Sequence, residues 1–314
     1  GDDIVDLNLK LFGAKIGTVF NILLNIFAIL FASLILYNIT IFLDVEYIPD
    51  TNSLYVKIIV LMPIIYAISK NIAVISRLSQ MVLIVGFILF ILSVLGLVGG
   101  MKIENLQPFL SNGLTNPIKA GFLYAVFAVL PLFFLVVIPR KYEEKGQNTI
   151  RRIVIMYIIM NVIIFSMFFI TTAVLGYGMI SVFKHPEYMV LKGISILSVI
   201  ERIESTLALQ FLFSMTMSIV VLLYLVVRSC RKIFPSLKAQ QIIPYILGLV
   251  TLLISYYMFP NSMSASYFVE NYVPYILTAV ILSMVLILSI TIFIRNINER
   301  KNHSSLNQSK MNIE

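Results

Sequence analysis

"IGTVFNILLNIFAILFASLILYNITIF" (Ile16–Phe42) contains no Asp, Glu, Lys or Arg. As a helix rising 1.5 Å per residue, a run of this length crosses a hydrocarbon core of about 30 Å with residues to spare. A membrane-spanning strand is instead about ten residues long and alternates apolar with polar positions. No such alternation is seen here, so this run is read as a spanning helix and the chain as an all-α polytopic membrane protein.

Similar runs recur along the chain. After Ile16–Phe42 come Leu54–Ser69, Met81–Val98, Ile118–Ile138, Ile153–Leu175, Thr206–Val227, Ile242–Phe259 and Val273–Ile294, about eight spans in all. Composition agrees. Of 314 residues, 60% are hydrophobic and only 12% charged, half the charged share of a soluble domain, and mean hydropathy is +0.97.

The loops orient the bundle. With the N-terminus placed inside, 17 of the 23 basic residues fall in inner segments and 6 in outer ones. This is the positive-inside pattern, and it predicts an even number of spans with both termini cytoplasmic. The net charge of +8 is thereby explained without a nucleic-acid partner. Three regions are expected: a cytoplasmic interfacial helix over 1–15, the bundle over 16–295, and a disordered cytoplasmic tail over 296–314. The outer segment Gly176–Ser205 carries Ile180, Val182, Met189 and Leu191, so a short helix lying on the surface or dipping inward is expected there. Tyrosines supply the interfacial belt in a chain with no Trp.

Few residues offer chemistry. Cys230 is the single cysteine, and His185 and His303 lie in separate segments. No Walker loop, HExxH or G-x-S-x-G is present, so an enzyme is not expected, nor a cofactor or metal. The spans carry no mid-membrane acid or base, which argues against a charged proton relay. Lys57 is counted with the outer segments. Uncharged polar pairs remain: Asn21 and Asn25, and Gln210 and Ser214, each spaced i, i+4 on one helix face. These either bond helix to helix or contact a substrate. Pro131 lies within the fourth span and would free a backbone carbonyl; Gly121, Tyr124, Ala125 and Phe127 precede it. At "SVIERIESTLALQFLF" (Ser198–Phe213), Glu201, Arg202 and Glu204 stand before the sixth span, as helix-end charges or as an outer gate.

Several separated pieces resemble the B subunits of spore germination receptors, the endospore germinant permeases of the amino acid–polyamine–organocation superfamily. They are "VISRLSQ" (Val74–Gln80), "ENLQPFLSNGLTNPIKAG" (Glu104–Gly121), "VIERIES" (Val199–Ser205) and "MFPNSMSASYFVENYVPYI" (Met258–Ile276). The resemblance implies a LeuT-type bundle of two inverted five-helix repeats, with ten spans of which the chain would hold the third to tenth. On that alignment the fourth span here corresponds to the family's broken sixth; it has Gly121 and Pro131 but lacks the acid usual after the break. The implied role is a nutrient-sensing subunit, with an amino acid as ligand, in the cell membrane or inner spore membrane. The implied partners are the lipid bilayer, an A-type subunit and a lipoprotein C-type subunit. By position, Asn25, Gly121, Tyr124, Ala125, Phe127, Gln210 and Ser214 would bind substrate. A secondary transporter of amino acids and a non-binding scaffold are the rivals. Without its first two spans the chain is expected not to fold stably alone.

Overall fold

The computed structural model describes residues 4–107, 113–128, 133, 149–183, 185–192, 204–233, 236–259, 261–287, 289, 291 and 293. The helices are α1 (Ile4–Glu46), α2 (Ser53–Ser69), α3 (Ile72–Val98), α4 (Thr115–Ala128), α5 (Thr149–Ile180), α6 (Pro186–Lys192), α7 (Glu204–Ile233), α8 (Leu237–Tyr257) and α9 (Ser262–Asn271). A tenth, α10 (Val273–Ile287), continues α9 after a bend of 43°. Among the described residues no strand occurs, and five helices are long and apolar enough to span a membrane. A sixth is counted if the bent pair α9–α10 is one span. Pro131, Glu201, Arg202 and the tail expected over 296–314 lie outside the described residues.

α7 is the hub, packing against α1, α2, α3, α6 and α8. Its run from Ile219 to Val227 is buried on every side, as expected of a helix apolar all round. α3 and α5 are peripheral, with their apolar side chains turned outward. In a bilayer, lipid covers such faces.

α1 is two helices joined at Gly13, whose φ of 77° and ψ of 173° break the helical path. A left-handed φ suits glycine, which has no Cβ to clash. The arm before Gly13 doubles back on the segment after it. Asn8 Nδ2 donates to Asn21 Oδ1 at 2.7 Å, and Asn21 Nδ2 donates to the Val5 carbonyl at 3.2 Å. Phe12 stacks on Phe20 with centroids 4.9 Å apart. Gly17 permits the contact, since a Cβ there would stand 2.6 Å from the Asn8 carbonyl oxygen. Ile4 and Val5 of the arm are buried in the main core.

Polar ties close this end of the bundle. Lys232 Nζ donates to Asp6 Oδ1 at 2.6 Å, and Asn25 Nδ2 donates to Ser229 Oγ at 2.8 Å. Arg231 Nη2 donates to the Ser69 carbonyl at 3.4 Å.

The opposite end holds an aromatic cluster around Phe42. His185, Tyr188 and Phe211 pack on its ring at 5.1, 5.6 and 4.7 Å. Short α6 supplies Tyr188, Val190 and Leu191 as buried side chains, so the expected helix in the Gly176–Ser205 segment is present. α5 breaks at Gly176 (φ 75°), where Asn105 Nδ2 donates to the carbonyls of Ala173 and Val174 at 2.9 and 3.1 Å.

Lys57 falls within the second apolar run: α2 starts at Ser53, with Asn52 Oδ1 accepting from Leu54 N at 2.9 Å. That places Lys57 in the helix proper, 2% exposed. Its ammonium lies over the rings of Tyr37 (5.3 Å) and Tyr256 (5.5 Å), a cation–π arrangement that replaces lost hydration. The segment joining the last two spans contains the helix α9. Asn261 Oδ1 accepts from Ser264 N at 2.8 Å, capping α9 as short polar side chains do.

Candidate functional site

A cavity of about 810 Å³ opens between α1, α4, α7 and α9. This lies within the range of small-molecule sites. It occupies the half of the bundle toward Glu46, away from the Asp6–Lys232 end. From α1 come Phe31, Leu34, Tyr37 and Asn38; from the end of α4 come Phe127 and Ala128. α7 contributes Met215, Ser218 and Val221, and α9 contributes Ala265, Ser266 and Glu270; Ser79 of α3 and His185 also line it. The lining is mostly apolar with a few polar groups, the mixture that gives a ligand both burial and orientation.

The wall is built from local sequence choices. Small residues, Ala128, Ser218, Ala265 and Ser266, leave the space that larger side chains would fill. α9 ends at the bend because Tyr272 leaves the helix, its N–H bonding back to Phe268, and Pro274 then opens α10. Proline suits a first helical turn, where its missing N–H is not needed. Glu270 sits at this break. Discontinuous helices place such groups beside solutes in membrane carriers.

Of the residues singled out in the sequence, Phe127 lines the cavity and the others described do not. Tyr124 Oη donates to Asn161 Oδ1 at 2.7 Å, tying α4 to α5. Asn25 serves the polar end through Ser229, and its Oδ1 has no hydrogen-bond partner among the described residues. Gln210 packs beside Gly86, its Cγ 3.8 Å from where a Cβ would stand, which makes it a contact between α3 and α7. Ser214 accepts at its carbonyl from Ser218 Oγ at 3.0 Å. Gly121 and Ala125 are exposed. Glu204 begins α7.

Glu270 lies between the seventh and eighth apolar runs, outside the spans read from hydropathy. Glu270 lines the cavity, at a helix break the hydropathy pattern did not separate from a loop. Its signal was faint: an Asn cap at Asn261, then an acid four residues before Pro274.

Its long apolar helices, with an open ligand-sized cavity between them, define an integral membrane protein. Residues 1–263 match the spore germination protein family, the spore permeases, and the chain belongs to that family. The family is of permease or receptor type rather than enzymatic. No match was found among curated proteins or among solved structures.

Proposed function

We propose that the protein is the nutrient-sensing subunit of a germination receptor, binding a small solute, an amino acid by family resemblance, in the cavity between α1, α4, α7 and α9. The cavity itself carries the reading: it is ligand-sized, and separate helices form its walls. A solute preferring one arrangement of those helices shifts their equilibrium by its differential affinity. On this proposal the bundle is LeuT-type, both termini face the cytoplasm, and A-type and C-type subunits receive the signal at the inner spore membrane. A secondary transporter is the second reading. Glu270 favours it, because a carboxylate on the solute route is what proton coupling uses.

Reconstitution in liposomes with labelled amino acids distinguishes the two. Saturable binding without accumulation is the result expected of a sensor. Accumulation far beyond one solute per protein would establish the transporter. Ser218→Trp fills the cavity and is expected to abolish either signal; retention of full binding by this variant would sink the cavity assignment.

A further inference from the structure

We infer that Glu270 selects ligands by a protonated amine, so that the cavity recognises an organic ammonium group attached to an apolar body. This inference rests on the cavity reading above.

Glu270 is the one formally charged residue among the described lining residues. Its side chain is exposed to the cavity, and no hydrogen bond or ion pair engages it among the described residues. A structural role does not account for it. It stands in the last turn of α9, which holds no basic residue, and an acid there is opposed by the helix dipole. Nor does it cap α10, since it makes no bond to the first N–H groups of that helix. A carboxylate in a membrane bundle requires a partner once water is displaced. A ligand ammonium supplies one as a charge-assisted hydrogen bond.

The other polar groups fit the same ligand. Asn38, Ser79, Ser218 and Ser266 are neutral. Lys57 is not among the lining residues; its ammonium lies over the Tyr37 ring, 5.3 Å from the centroid. His185 and Tyr37 are the remaining titratable groups of the wall; His185 is packed edge-on against Phe42 at 5.1 Å and 89°. Phe31, Phe127, Met215 and Val221 offer apolar and polarisable surface for the body of the ligand. No Lys or Arg lines the described wall to receive a carboxylate. Amine recognition therefore dominates carboxylate recognition.

The test uses three probes of one shape: 3-methylbutylamine with the amine alone, leucine with both groups, and 4-methylpentanoate with the carboxylate alone. Binding is measured calorimetrically on the protein in nanodiscs. The amine is expected to bind at least as well as leucine, and the acid at least tenfold more weakly. Glu270→Gln is expected to weaken the amine at least tenfold, with thermal unfolding unchanged. If the acid binds best, or if Glu270→Gln leaves amine affinity within twofold, the inference is overturned. Should Ser218→Trp still block the bound probe in that case, the cavity reading stands and His185 becomes the group that sets polarity. Binding untouched by Ser218→Trp, or no binding of any probe, overturns both.

Discussion

Glu187 shows what a single half-buried carboxyl does at the rim of this bundle. It lies in α6, outside the spans. Burial lifts its carboxyl above the usual carboxylate range, against a smaller lowering from its own backbone N–H. The folded protein therefore holds this proton more tightly than the unfolded chain. Linkage then requires stability to fall as pH rises from the ordinary carboxylate pKa through the raised one. Glu187→Gln removes the penalty. The variant is expected to unfold at a higher temperature than the parent at neutral pH, and at the same temperature in acid where both side chains are neutral. Thermal unfolding in detergent across that range checks it; a variant less stable at neutral pH would show that the carboxylate has a partner worth more than its burial.

At the scale of elements, the doubled-back arm of α1 depends on close backbone approach. Gly17→Ala would press a methyl group on the Asn8 carbonyl oxygen and the Leu9 Cα, at 2.6 and 2.8 Å. Backbone cannot swing aside as a flexible side chain can, so the arm must shift. Overpacking of this kind costs about 1–3 kcal/mol. Faster hydrogen exchange across 4–12 is the expected sign, and unchanged exchange would mean that the arm tolerates the displacement. Of the elements, those with long uncharged runs were legible: α1, α3, α5 and α7 follow directly from hydropathy. A separate helix over 1–15 was also legible, and the joint at Gly13 falls close to that boundary; the doubling back of the arm was not, because it depends on Asn8, Gly17 and Asn21 meeting across the turn. α9 was missed for a different reason. Asn261, Ser262, Ser264, Ser266 and Glu270 give it the composition of a loop, and only its place across the cavity from α1 and α7 makes it a wall. The site suffered likewise. Phe127 was found because it precedes a proline, whereas Glu270 acquires meaning only from the cavity that residues distant in sequence form around it. Tyr124, Asn25 and Gln210 drew notice as polar groups in apolar helices, and their partners prove to be other helices.

Across the whole molecule, α7 joins the two ends. Ser218 faces the cavity, and Lys232 holds Asp6 at the other end. The interval between them is ~21 Å of continuous helix, most of it locked in the core. A rigid element that contacts both places can couple them. Asp6→Lys should therefore alter solute affinity in the cavity by about fivefold or more, the lower range of coupling energies between sites, and adding Lys232→Asp should return it toward the parent value. Equal affinities in all three proteins would show that the two ends act independently.

The polar ties around Lys232 and the open half beyond Ser218 have a consequence for how a message passes through this protein. On the sensor reading proposed above, the solute is registered in the open half while the tied end stays shut, and what crosses the bilayer is displacement rather than matter.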